Sequence, residues 1–245
     1  MTNEHPEGRI SSPAPEQGRP TDSAQTLAED LLLLLFQPAS GTIAGEGTLF
    51  YVLAGAMLAD LGLNGNVRTG TGRLGAVTVE AVAAQPPADR LQRATWDYVA
   101  DKPRGVQTVL AATGPTLREP LLERLIERGD LRRRAHRAHG FIRTSVIEEG
   151  ESGRRGHLLA QVRGALVDGS DPSPRTAALA ALLYGSGTLP QFDPDIPWTG
   201  PVIRRAEAFT EGSWGAAATA TAVTRTVAAL IVSNVIAAAA TLPRT

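Results

Sequence analysis

Apolar positions recur at helical spacing along most of the chain and at the two-residue spacing of strands in only two places. Residues 1–23 carry Pro6, Pro13, Pro15 and Pro20 and no apolar period, which predicts a disordered tail. A packed region then begins. Thr26 with Glu29 forms a capping box ahead of the run Leu31 to Phe36, a buried helix too short to span a bilayer. Gln37 to Thr48 reads as a glycine-containing loop. Leu49 to Gly62 follows as a helix with Phe50, Leu53, Met57 and Leu61 on one face. After the break at Pro86-Pro87, Asp89 to Ala100 is a helix with Leu91, Thr95, Tyr98 and Val99 inward, and Gly105 to Ala112 is a shorter one. A second capping box, Thr116 with Glu119, opens a helix carrying Leu117, Leu121 and Leu125 and ended by Gly129. Beyond it, Leu131 to Val146 reads as a hairpin.

The remaining pattern is again helical. His157 to Val167 keeps Leu158, Leu159, Val162 and Leu166 in register, and Asp171 to Pro174 caps a helix running through Tyr184 to Gly185. Leu189 to Trp198 is a proline-rich loop, and Val202 to Phe209 is a short helix. Ala216 to Leu242 is long and nearly uncharged, but Arg225 and several threonines sit within a mostly alanine surface. A mid-bilayer arginine costs about 2.5 to 3.5 kcal/mol that alanine does little to offset, so we read this element as a buried helix surrounded by the others rather than a membrane span.

Two stretches resemble each other. Sliding the chain by 64 positions pairs Leu117 with Leu53, Leu121 with Met57, Leu125 with Leu61, Gly129 with Gly65 and Arg132 with Arg68. Each copy reads as helix, glycine stop and hairpin, the first with Val77 and Val79 in its returning strand. A pair of copies suggests two similar units packed together rather than a solenoid.

Composition narrows the chemistry. A chain of 245 residues with net charge −1 exerts no overall pull on nucleic acid or anionic membrane, so attraction has to come from local patches. One such patch is evident: between Arg128 and Arg143 there are six arginines against the single acid Asp130. With no cysteine, disulfides and thiol chemistry are excluded. The start of the chain does not read as a signal peptide, which points to the cytoplasm. Gly70 to Gly75 spells G-x-G-x-x-G, yet an alternating strand pattern follows it instead of a helix, so it reads as a hairpin turn. His136 and His139 are three apart on a strand pattern and point to opposite faces, which argues against a metal site. Asp and Glu look scattered over helix surfaces, and no nucleophile, phosphate-loop or metal-hydrolase motif occurs; we expect no catalytic residue, no metal and no cofactor.

Leu53 to Leu61, Glu123 to Leu131, and Arg175 through Tyr184, in this order and spacing, resemble the Golgi phosphoprotein 3 family in a bacterial form, from about Thr26 to Ala240. The resemblance implies a mainly α fold: a central helical bundle with a buried C-terminal helix, ringed by amphipathic helices, with small β-hairpins, as a single domain over 24–245. It implies a projecting hairpin used in self-association and membrane contact, and a non-enzymatic role in which eukaryotic members bind phosphatidylinositol 4-phosphate and glycosyltransferase tails. The family's headgroup pocket, carried over, falls at Gly45 or Glu46 for a tryptophan, at Ala54 for an arginine, and at Pro115 and Arg118 for a basic pair. Of these, Arg118 keeps a cation.

Two readings follow. In the first, the chain is a peripheral membrane-binding or adaptor module that meets an anionic phospholipid membrane through Arg118 and the hairpin residues Arg132, Arg133, Arg134, Arg137 and Arg143, with a homodimer or higher oligomer formed through the hairpin. In the second, helix–glycine–basic hairpin is a winged-helix DNA-binding unit. Leu117 to Arg128 mixes arginines with three glutamates, and Leu49 to Leu61 has no cation, so nucleic acid is not the expected partner. A soluble self-associating scaffold is the remaining alternative.

Overall fold

The computed structural model describes residues 25–72, 76–138, 142–212 and 218–241; the predicted tail, His139 and part of the glycine-rich turn lie outside them. α1 (Leu27–Leu35) starts at the predicted capping box. Thr26 Oγ1 accepts from the Glu29 amide at 3.2 Å, and the Thr26 amide donates to Glu29 Oε2 at 2.6 Å. The whole of α1 is buried. A two-residue ribbon, β1 (Phe36–Gln37) with β2 (Thr42–Ile43), stands where the sequence reads as loop. α2 (Leu49–Leu63) is buried on every side from Val52 to Gly62, so no single face is meaningful and the one-sided stripe expected there is corrected.

Each copy of the repeat then turns in the same way. Gly65 and Gly129 adopt φ +73° and +76°, a left-handed conformation that glycine reaches without strain. The Asn66 amide donates to the Leu61 carbonyl at 2.8 Å, and the Asp130 amide to that of Leu125 at 2.9 Å. The first hairpin, β3 (Val67–Thr71) with β4 (Val77–Ala81), gains a third antiparallel strand, β5 (Arg104–Gly105). α3 (Arg90–Ala100), capped by Asp89, and α4 (Val106–Thr113) lie between the copies. On α3 the fully buried residues are Gln92, Thr95, Trp96 and Val99, with Leu91 and Tyr98 only half-buried.

The second copy brings a correction. α5 (Arg118–Glu127) has Leu117 at its cap with no side-chain bond, because Thr116 belongs to a preceding 3₁₀ turn and its hydroxyl donates back to the Thr113 carbonyl at 3.0 Å. The second hairpin, β6 (Leu131–Ala138) with β7 (Ile142–Glu149), pairs in antiparallel register from Leu131↔Glu149 to Ala138↔Ile142. α6 (Arg154–Leu166), α7 (Pro174–Gly185) and α8 (Gly200–Thr210) follow, with Ser173 capping α7 and Pro174 in its first turn as expected.

The fold is mainly α with small hairpins, as the pattern and the resemblance imply. α1, α2 and α7 form the middle of one continuous apolar core. α9 (Ala218–Thr241) packs on α2 and α7 through Val223, Thr224, Val227, Ala228 and Ile231, while Arg225 faces outward. Among the described side chains it is therefore buried along one side, unlike α1 and α2, which are enclosed all round. Gly55 and Gly62 let α9 sit close: a Cβ on Gly55 would fall 2.8 Å from Val227, and one on Gly62 would fall 2.7 Å from Val223. Among the described residues one stretch, 46–63, is long and apolar enough to cross a membrane, and 67% of it is buried inside the fold.

Candidate anionic-surface site and a buried ion network

The hairpin arginines owe their positions to the turn after α5. Gly129 and Asp130 reverse the chain so that Leu131 enters the core and the strand leaves the body with alternating faces. Arg132 and Arg134 share one face and one acid: Glu148 Oε2 accepts from Arg132 Nε at 3.1 Å, and Oε1 accepts from Arg134 Nη1 at 3.2 Å. Burial pushes the Glu148 carboxyl up, but the hydrogen bonds and charges of Arg134 and Arg132 outweigh it, and the net shift is downward. Arg133 turns the other way and donates to Glu123 at 2.5 Å. These side chains remain 55% (Arg132), 42% (Arg133) and 72% (Arg134) exposed. The register sets Arg137 opposite Arg143; their side chains, like that of His136, lie outside the described set. The described arginines Arg132, Arg133 and Arg134 thus face two close carboxylates, Glu148 and Glu123, with Glu151 a looser partner of Arg132 at 3.6 Å.

Arg118 is a separate matter. It sits in the first turn of α5, at the opposite end of a ten-residue helix from the hairpin and so about 15 Å away along the axis. Its Nε donates to Glu46 Oε1 at 2.9 Å and its Nη1 to Glu119 Oε1 at 2.5 Å, and the side chain is 38% exposed. Glu46 is one of the two positions to which the family tryptophan maps. Ala54 is fully buried, and Pro115 offers no donor. The carried-over pocket therefore holds one cation between two carboxylates.

Four of the acids expected on helix surfaces are elsewhere. Glu29, Asp30, Asp60 and Asp130 are all buried, and with Asp89 they meet four arginines where α1, α2, α5, α6 and α7 converge. Arg128 donates to Glu29 at 2.6 Å, and Arg124 to Asp89 at 2.7 Å. Arg175 donates to Asp30 at 2.6 and 2.9 Å, to Asp60 at 3.1 Å and to the Gln25 carbonyl at 2.6 Å; Arg154 also holds Asp30. Asp60 Oδ2 accepts from the Leu27 amide at 2.9 Å and from Gln92 Nε2 at 2.8 Å. Burial raises the Asp60 pKa above its ordinary 3.8, against the opposing pull of Arg175, Leu27 and Gln92. A polar cleft of about 540 Å³, lined by Asp30, Arg154, His157 and Arg175, opens above this network. Five carboxylates against four arginines compensate one another, so the cluster is a structural clamp and not an anion trap. Its one sequence signal was Asp60, a lone charge inside the apolar run Leu53 to Leu61.

A comparison with protein families decides the kinship: the model described as Golgi phosphoprotein 3 (GPP34) matches residues 27–226. The chain belongs to the Golgi phosphoprotein 3 family. Comparison with curated proteins gives no match. Family membership accounts for the helical body with its paired hairpins.

Proposed function

We propose that this Golgi phosphoprotein 3 family member is a non-enzymatic, cytoplasmic module that docks peripherally on anionic phospholipid membrane through the β6–β7 hairpin. The observation that carries this reading is the charge imbalance of the hairpin: Arg132 and Arg134 share one carboxylate while both stay more than half exposed. Set against the ion-pair partners Glu148, Glu123 and Glu151, the five arginines leave two positive charges. At about 1 kcal/mol per charge near an anionic surface, that supports docking worth about 2 kcal/mol, weak and salt-sensitive. Self-association through the hairpin doubles the contact and strengthens it by avidity. Recognition rests on charge density rather than on a phosphoinositide pocket, because Glu46 and Glu119 already neutralise Arg118.

The test is co-sedimentation with phosphatidylcholine vesicles, with and without phosphatidylserine, beside a DNA shift assay, at two salt concentrations. Wild type is expected to pellet with the anionic vesicles at low salt only. The variant with Arg132, Arg133 and Arg134 changed to alanine is expected to stay in solution, and DNA to be ignored by both. Wild type that leaves anionic vesicles unbound at low salt would replace this reading with that of a soluble scaffold; a DNA shift lost in the variant would replace it with nucleic-acid binding.

A further inference from the structure

A groove of about 710 Å³ runs between the outer side of α9 and the edge formed by β4, β5 and the start of α4, a volume in the range of small-molecule sites. Its walls are mainly apolar: Ala76, Val77, Val106, Ala229 and Leu230. Val77 is 46% exposed, one of the few large apolar side chains that the fold leaves open. Thr108 and Gln107 contribute polar groups at one wall, while the Thr226 hydroxyl is turned away into its own helix, donating to the Ala222 carbonyl at 2.8 Å. Among the described residues the lining carries one charge, Arg225, and no carboxylate. Apolar walls beside a single cation complement a molecule that has an apolar chain and one negative head.

We infer that this groove binds a medium-chain fatty acid, with the carboxylate on Arg225 and the chain along Val77, Val106 and Leu230. The guanidinium meets the carboxylate through two parallel N–H donors, a charge-assisted pair stronger than a neutral hydrogen bond. The chain removes the Val77 and Leu230 surface from water. The site is far in sequence from the arginine hairpin and uses none of its residues, so it stands or falls independently of membrane docking.

Titration calorimetry of the full chain with decanoate, below its micelle concentration, tests the assignment. Wild type is expected to bind saturably with one decanoate per chain. Arg225→Ala, a change on an exposed side chain, is expected to weaken binding about tenfold or more, with Arg225→Lys, which keeps the charge but not the two parallel donors, recovering part of it. Val77→Asp is expected to abolish binding by placing a negative charge against the chain. Decanol, which has the chain without the charge, is expected to bind about tenfold more weakly than decanoate. Circular dichroism establishes that each variant is folded. Absence of saturable binding by wild type overturns the proposal, as does an Arg225→Ala variant that binds decanoate as wild type does, or equal binding of decanol. Arg225→Ala that loses phosphatidylserine vesicles while wild type ignores decanoate assigns the groove to bilayer lipid and overturns it too.

Discussion

Replacing Asp60 by alanine removes one buried side chain and leaves two buried donors without an acceptor, the Leu27 amide and Gln92 Nε2. Arg175 loses one partner but keeps Asp30. An unsatisfied buried donor costs about 1 to 3 kcal/mol, and breaking a buried ionic cluster about 3 to 5, so we expect a loss of about 4 kcal/mol. For a chain of this size that corresponds to a fall in Tm of about 8 to 16 °C, or a lower urea midpoint with an unchanged slope. Asp60→Asn retains one acceptor and cannot ionise, which turns it into a probe of pH. Because the native carboxyl is raised above 3.8, the folded chain holds that proton more tightly than the unfolded chain does. The contribution of Asp60 to stability is then most favourable below 3.8 and declines as pH rises to the raised native value. The stability deficit of Asp60→Asn relative to wild type is therefore expected to narrow as pH climbs through that window, in urea melts at successive pH values. A loss under about 1 kcal/mol for Asp60→Ala, or a deficit that widens with pH for Asp60→Asn, would refute the clamp.

Other outcomes follow from the same geometry. Glu148→Gln frees Arg132 and Arg134 from their shared acid, and vesicle binding is expected to rise about fivefold at low salt, the equivalent of one added charge. Gly62→Val drives a side chain into Val223, and this overpacking of α2 against α9 is expected to cost about 1 to 3 kcal/mol in a denaturant melt. Burial and the bond from the Tyr184 hydroxyl to Glu207 Oε1, 2.8 Å long, push the Tyr184 pKa up to about 12. Phenolate absorbance is expected to show that one tyrosine titrating late in wild type and earlier, toward 10, in Glu207→Gln.

Local signals were legible and long-range ones were not. The Thr26–Glu29 box and the Ser173-Pro174 start form because each needs only residues within one turn. Thr116 with Glu119 has the same spelling, but Pro115 belongs to a 3₁₀ turn that carries Thr116 with it, and its hydroxyl is taken by Thr113. The repeat was visible because Gly65 and Gly129 answer one backbone requirement, a positive φ. On α3, Trp96 turns inward because its indole donates to the Asn66 carbonyl at 3.0 Å, a partner thirty residues away in the chain. Ribbons as short as β1–β2 have no period to read. At the site, the hairpin arginines stood out as a charge run, whereas Glu148 and Glu123, which blunt them, announced nothing until the strand register placed the one and the packing of α5 the other. Arg118 looked like half a pocket because Glu46 lies 72 residues away.

The most direct measurement of the docking claim exploits the absence of cysteine from the chain. A single cysteine at exposed Ala135, in the middle of the arginine strand, takes an environment-sensitive fluorophore without competition, and one at exposed Gln161 on α6 serves as control. On phosphatidylserine-containing vesicles at low salt, emission from position 135 is expected to shift to the blue while that from 161 stays in place, and added salt is expected to reverse the shift. A blue shift at 161 alone, or at neither position while the protein co-sediments with the vesicles, would contradict docking through the hairpin.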